Sequence, residues 1–162
     1  MNKKMKKLNL GCGNDYKKGW VNLDLIDVKK DIKHDLNKIP YPFKKSLFDE
    51  TLMKMILEHV QDPIGVLKEV IRISKDNAKI IVIVPHATSY ANFTDLQHKT
   101  NFTETSFNKE LLEEYELKEL ELTKVDFIYT NSWKKFIPFK KFFKIFLNGI
   151  YDDLLFEFKV KK

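Results

Sequence analysis

Three groups of residues in this 162-residue chain have the types and spacing that chemistry needs. The first is Leu8-Asn9-Leu10-Gly11-Cys12-Gly13, followed by Asn22-Leu23-Asp24. It reads as a buried strand, a glycine turn and a second strand that ends on a carboxylate. Glycine at a strand exit takes backbone angles closed to other residues and lets a ligand approach the main chain. A carboxylate at the neighbouring strand tip is placed to accept hydrogen bonds from a ribose diol, so the pair points to an adenosine-containing cofactor. The second group is Glu58-His59, a candidate acid–base pair. The third is His86 and His98, since imidazole titrates near neutral pH and can take a proton from a hydroxyl.

Each of these residues also has a plainer role open to it. Cys12 suits a small residue packed under the turn better than a nucleophile. Asp24 could be a solvated strand end, and Asp35 could cap the turn that follows it. Glu58 or His59 could hydrogen-bond the backbone where the next helix starts, and either loop histidine could simply hold the loop. His86, His98 and Glu58 lack tight ligand spacing, so no metal is expected.

The elements that must position these groups follow from pattern. Lys7–Leu10, Trp20–Leu25 and Asp31–Leu36 read as the first three strands, and Phe48–Ile56 as the fourth. Asp62-Pro63 opens a helix, with aspartate as cap and proline at the first helical position. Ile64, Leu67, Val70 and Ile71 keep helical spacing behind it. Ile80–Val84 is continuously apolar and β-branched, as expected of a strand covered on both faces. A polar loop from Pro85 to Phe102 is too long for a simple connection. Thr103–Tyr115 reads as a helix, Leu117–Tyr129 as a strand, Lys135–Asn148 as an amphipathic helix and Leu154–Lys161 as the last strand. Alternating strands and helices imply an α/β fold with a mostly parallel sheet, whose ligands sit beyond the carboxyl ends of the strands. Only Gly11 to Gly19 separates the first two strands, whereas a parallel crossover usually takes a dozen residues or more. The first crossover helix is therefore expected to be reduced or lost. Tyr16 stands where a dinucleotide fingerprint has its third glycine, and Asp24 comes too early for that motif's acid.

Length and a 43% hydrophobic share bound the chain to one globular domain over residues 1–162, with no repeat or linker. The basic N-terminus lacks the apolar core of a signal peptide, and the single cysteine fits a reducing compartment, so a cytoplasmic location is expected. The net charge of +6 is uneven: residues 1–130 hold 21 basic and 20 acidic groups, and residues 131–162 hold 8 and 3. Within 131–150 the basic, aromatic stretch reads as a helix inserted before the last strand, with Phe139, Phe143, Phe146 and Ile150 on one face. That helix either covers the core with its lysines solvated, or makes peripheral membrane contact through residues 133–147. Basic, aromatic surface is also what nucleic acid binds.

Taken together and in order, these pieces resemble the small S-adenosylmethionine (SAM)-dependent methyltransferases of the Rossmann-like, type 11-like group. The resemblance runs from about Lys7 to Asn108, with a weaker echo in the final strand. It rests on Leu8-Asn9-Leu10-Gly11-Cys12-Gly13, Gly19-Trp20-Val21-Asn22-Leu23-Asp24, His34-Asp35-Leu36, Phe48-Asp49-Glu50, Leu57-Glu58-His59-Val60, Asp62-Pro63 with Val66-Leu67-Lys68-Glu69-Val70, Val84-Pro85-His86, and His98 ahead of Phe102-Thr103. It implies a seven-stranded, mostly parallel sheet with an antiparallel C-terminal strand. It also implies that SAM is the methyl donor and S-adenosyl-L-homocysteine the product. Asn9, Gly11, Cys12, Gly13, Asn14, Asp24, Leu25, Asp35, Leu36 and Met55 would then surround the cofactor, with Asp24 on the ribose and Asp35 and Leu36 beside the adenine. Glu58, His59, His86 and His98 would face an acceptor. Asn9 stands where an acid is commoner, and Lys75-Asp76-Asn77 where a lysine, proline and two glycines are usual. The expected acceptor is an oxygen or nitrogen of a small-molecule or glycan-like substrate. Alternatives are a non-catalytic module that binds SAM or its product, or a nucleic-acid methyltransferase using the basic C-terminal region. Base-amine methylation is disfavoured because Val84-Pro85-His86-Ala87 departs from the acidic or amide residue, two prolines and aromatic typical there.

Overall fold

A computed structural model of the chain describes residues 5–130, 132–139 and 149–162. Its strands are β1 (Lys7–Leu10), β2 (Val21–Asp24), β3 (Ile32–Lys33), β4 (Phe48–Lys54), β5 (Ser74–Pro85), β6 (Leu120–Ile128) and β7 (Asp153–Val160). The helices are α1 (Pro63–Ile73), α2 (Tyr90–Thr94) and α3 (Lys109–Glu114), with a short 3-10 turn at Ser132–Phe136. The sheet order is β3-β2-β1-β4-β5-β7-β6. Strands β1 to β5 pair in parallel, and β7 runs antiparallel between β5 and β6. The expected sheet, with its one antiparallel C-terminal strand, is present. Among the described residues no helix is long and apolar enough to cross a membrane.

The register divides the sheet into two unlike faces, because directly opposed residues share a side. Leu8, Thr51, Ile80 and Phe158 form one row, and Leu10, Met53, Val82 and Phe156 the next. These rows are buried in a core closed by Val66, Leu67, Val70 and Ile73 of α1 and by Phe107, Leu112 and Leu117 around α3. The opposite face carries Lys7, Glu50, Lys79, Glu157 and Lys159. There Lys7 pairs with Glu50 at 2.5 Å and Lys79 with Glu157 at 2.9 Å. Ile81 and Ile83 are only half-buried on that side, so the expectation of cover on both faces of this strand holds for one face alone.

The connections explain the difference. No helix lies between β1 and β2, between β2 and β3, or between β3 and β4. The first crossover had been expected to shrink; all three do. A loop that replaces a helix must satisfy its own backbone groups, and two buried asparagines do so here. Asn9 donates to the Asp15 carbonyl at 2.8 Å and to the Asn22 side-chain oxygen at 3.2 Å. Asn22 in turn accepts from the Lys17 amide at 2.9 Å and donates to the Lys17 carbonyl at 3.0 Å. Asp31 accepts from the Asn22 backbone and side chain, tying the second crossover to the first.

Other boundaries shift for local reasons. Asp62 accepts from the Gly65 amide and caps α1, as its sequence indicates. The helix expected at Thr103–Tyr115 begins only at Lys109, because Ser106 accepts from Thr103 in a turn and Asn108 serves as the cap. Asn77 takes the left-handed turn (φ 60°) where glycine is usual, and asparagine tolerates that region. Most of the helix expected over Lys135–Asn148, and of the membrane contact expected over 133–147, lies outside the described residues.

Candidate functional site

The carboxyl ends of β1, β2 and β4 meet at a cleft of about 370 Å³ whose lining includes Gly11, Gly13, Asp24, Asp35, Met55 and His59. A second hollow of about 500 Å³, beside Asn9, Cys12, Asn14 and Lys54, shares Gly11, Gly13 and Met55 with it. The glycine turn therefore forms the ridge between the two. Gly11 has φ 63°, and its amide donates to the Leu23 carbonyl at 2.9 Å. A Cβ at Gly11 would lie 2.8 Å from the Ile56 Cβ, so glycine is required by both conformation and space. Gly13 (φ 47°) faces open space.

Asp24, 8% exposed, is held by two main-chain donors. The Gly13 amide reaches one carboxylate oxygen at 2.8 Å and the Ile26 amide the other at 3.0 Å. Each oxygen keeps a second lone pair for a ligand. Asp35 at the far wall accepts from the Asn37 amide, which pulls its carboxyl below the usual range. Leu36 is buried there, while Leu25 is half exposed at the rim. Asn37 accepts from the Gln61 amide and so fastens this wall to the segment after β4.

Two of the expected cofactor residues serve the scaffold. The amide of Asn9 is occupied by Asp15 and Asn22 as described. Cys12 is buried with its thiol 3.7 Å from the Lys29 carbonyl, and burial, with Asp24 next, pushes that thiol up. Met55 closes the base of the cleft in a left-handed conformation (φ 52°), its amide bonded to the Ile83 carbonyl. A non-glycine residue held there marks a place where the surrounding structure imposes strain, and such places cluster at functional sites.

Beyond Met55 the chain turns so that Glu58 and His59 meet His98 from the long loop. The ligand-type atoms of these three side chains all lie within 4.8 Å of one another. His59 Nε2 is 3.9 Å from a Glu58 oxygen, and the rings of His59 and His98 meet edge to face at 4.7 Å. Lys99 and Thr100 donate their amides to the Glu58 carbonyl, which docks the loop onto this turn. Glu58 is 1% exposed, and among the described residues neither carboxylate oxygen has a hydrogen-bond partner. Burial pushes its carboxyl up to about 7; its own nearby amide pulls the other way, and Asp153 and Asp95 add to the rise. Burial also lowers the His59 imidazole, helped by His98.

His86 stands apart from this trio. Its Nδ1 accepts from the Thr88 amide at 3.1 Å, and its Nε2 lies 3.3 Å from a Glu104 oxygen. At 2% exposed beside the Tyr151 ring, it lines neither hollow. Asp153, at the start of β7, had not been singled out. Burial, then Asp152, raises its carboxyl to about 6, and a doubled acid before an alternating apolar strand was the available signal.

A scan against protein-family models finds no match, and neither does a search of the curated proteins. Solved structures do match. A SAM-dependent methyltransferase from Archaeoglobus fulgidus aligns with a TM-score of 0.67 at 17% identity, covering 96% of this chain and 86% of that one. A chain from the complex containing the Haloferax volcanii Trm112 methyltransferase activator aligns at 0.65 and 16%, covering 98% and 83%. The [4+2]-cyclase SpnF aligns at 0.60 and 11%, covering 97% and 74%. Identities this low establish architecture, and the cyclase shows that one architecture serves different reactions. The chain has the Rossmann-like fold of the SAM-dependent methyltransferases, with no helix in its first three crossovers.

Proposed function

We propose that the cleft between the glycine turn and Asp35 binds SAM, and that the domain transfers its methyl group to an oxygen or nitrogen of a small-molecule or glycan-like acceptor. One observation carries this reading: Asp24 lines the cleft at the tip of β2, with its carboxylate fixed by the Gly13 and Ile26 amides. A ribose diol needs an acceptor pair held in that way. Asp35 and Leu36 supply a wall for the base, and Gly11, Gly13 and Met55 border the end where the methionine portion would lie.

The reaction asks little of the protein beyond alignment and the exclusion of water. The acceptor's lone pair attacks the methyl carbon, the carbon–sulfur bond breaks, and the sulfonium takes that electron pair and becomes a thioether. An acceptor hydroxyl or protonated amine also gives up a proton. His59 lines the cleft with Glu58 and His98 beside it, and the depressed His59 imidazole is held in its neutral, proton-accepting form. His86 is engaged by Thr88 and Glu104, which supports a role in shaping the loop.

Calorimetry with S-adenosylhomocysteine tests the cofactor, and transfer of a labelled methyl group to panels of saccharides and hydroxylated small molecules tests the reaction. The expected result is one cofactor per chain and label on an oxygen or nitrogen. Cofactor binding with no transfer to any class would favour the non-catalytic module. Absence of binding would overturn the whole reading.

A further inference from the structure

We propose that Glu58, His59 and His98 form a binding site for a divalent transition-metal cation of the zinc type. Two imidazoles and one carboxylate are a donor set that borderline cations favour, and three protein ligands leave coordination positions open. The three side chains come from two segments, the turn after β4 and the loop after α2, yet their ligand atoms lie within 4.8 Å of one another. Ligands about 2.1 Å from a cation stand at most about 4.2 Å apart. In tetrahedral coordination the same ligands stand about 3.4 Å apart, so the group needs to close by at most about 1.4 Å, within reach of side-chain rotation.

A second observation points independently to a cation. Glu58 is 1% exposed and, among the described residues, both of its carboxylate oxygens lack a hydrogen-bond partner. A buried carboxylate without a donor is costly, and a native fold that keeps one has a use for it. Its immediate neighbours in the group are imidazoles, and His59 Nε2 is 3.9 Å from one of its oxygens. A cation bound by all three supplies the missing positive partner.

The imidazole of His98 is already oriented as a ligand. Its Nδ1 lies 3.3 Å from the Asn92 carbonyl, which can only accept; a hydrogen on that nitrogen leaves the Nε2 lone pair, 3.8 Å from an Asp95 oxygen, for a cation that the Asp95 carboxylate also favours. A carbonyl behind the ring is the usual device for fixing the tautomer of a metal-bound histidine. The Lys99 and Thr100 amides hold the loop against the Glu58 carbonyl, so the ligands are brought together before any cation arrives. His59 also lines the cleft, so the site borders it. In the methyl-transfer reading, on which this last step alone rests, such a cation would replace His59 as the aid to proton loss, by orienting an acceptor oxygen toward the donor and lowering its proton affinity.

The test uses the full chain after treatment with a chelator. Cobalt(II) is titrated in and followed by visible absorption, and zinc(II) by calorimetry. One ion per chain is expected. Glu58→Gln and His98→Ala are each expected to weaken binding at least about 10-fold, and His34→Ala to leave it unchanged. Should a variant fail to fold, imidazole NMR of the wild-type chain decides: zinc must shift two of the four histidines, and those two must be His59 and His98. No uptake of either ion, equal losses in His34→Ala and His98→Ala, or shifts confined to His34 and His86 would each overturn the site. Parallel titration with S-adenosylhomocysteine separates the two readings. A chain that binds the nucleoside but no cation sinks the metal site alone; one that binds the cation but no nucleoside sinks the methyl-transfer reading alone.

Discussion

Asn9 donates its side-chain amide to the Asn22 side-chain oxygen 3.2 Å away, and this pair stands where a crossover helix would otherwise cover β1 and β2. The amide also reaches the Asp15 carbonyl at 2.8 Å, so position 9 must donate twice. A carboxylate there, the commoner residue in the resembling family, could only accept. It would face two oxygens with no proton to offer. The residue at position 9 and the helix-free crossover are thus tied together by these two bonds.

Asn9→Asp, nearly the same in shape, is therefore expected to destabilise the fold by about 1–3 kcal/mol, the cost of a buried polar group left without a partner. Urea midpoints of the two proteins at neutral pH would measure it. A shift of less than a few tenths of a kcal/mol would show that water or loop movement supplies the missing donors.

How far such features can be read before the fold is known depends on the range of the interaction. The β1–β2 span, the Asp62 cap and the ordering of the strands are local patterns, and they are visible as written. The helix-free second and third crossovers are equally local, since only Ile26-Asp27-Val28-Lys29-Lys30 separates the expected second and third strands and the turn-rich Pro40-Tyr41-Pro42-Phe43 precedes the fourth. The resemblance gathers Glu58, His59, His86 and His98 at one end, but the contact of His98 with the first two, and the separation of His86, depend on how the 18-residue stretch from Pro85 to Phe102 folds back. The open face of β5 was beyond reach. Ile81 and Ile83 look as buried as Ile80 and Val82 until the register shows them sharing a face with Lys79, Glu157 and Lys159. The unfilled carboxylate of Glu58 is a property of its surroundings alone, and no spacing announces it.

Asp24→Ala is expected to weaken binding of S-adenosylhomocysteine by about 10- to 100-fold, since hydrogen bonds to a charged group contribute roughly 1.5–3 kcal/mol. The variant also frees the Gly13 and Ile26 amides, so loosening of the glycine turn adds to the loss. Calorimetry with the wild type and variant side by side gives the ratio. Equal affinities would remove the carboxylate from the ribose.

The pH dependence of stability follows from Glu58. Its carboxyl titrates near 4.5 when unfolded and near 7 in the native fold. Between those values the folded chain keeps a proton that the unfolded chain has lost, so raising the pH through this window favours unfolding. The full loss, reached above pH 7, is as much as about 3 kcal/mol. Asp153, raised to about 6, acts in the same direction. The lowered His59 imidazole acts oppositely, costing stability as pH falls. Glu58→Gln removes only the first contribution. Denaturant midpoints at pH 5 and pH 8, with chelator present, should differ less in the variant than in the wild type, the remaining difference being that of Asp153 and His59. A wild type whose stability does not fall over that range would mean that the carboxylate is charged and compensated.

Gly11 is constrained twice, and a double-mutant cycle separates the two constraints. Gly11→Ala places a methyl group against Ile56 and also forces an alanine to φ 63°. The overlap disappears when Ile56 is cut back to glycine, which removes the Cβ as well, but the backbone cost at position 11 does not. That cost is about 1–2 kcal/mol for a residue with a Cβ in the left-handed region. Gly11→Ala alone should therefore lose clearly more than this, by thermal or urea unfolding. In the Ile56→Gly background the same substitution should fall to roughly the backbone figure. If the two backgrounds give the same loss, Ile56 yields freely and only the dihedral angle requires glycine; the segment after β4 could then move aside for a ligand, and the close fit of Ile56 over the turn would not be what shapes the cleft.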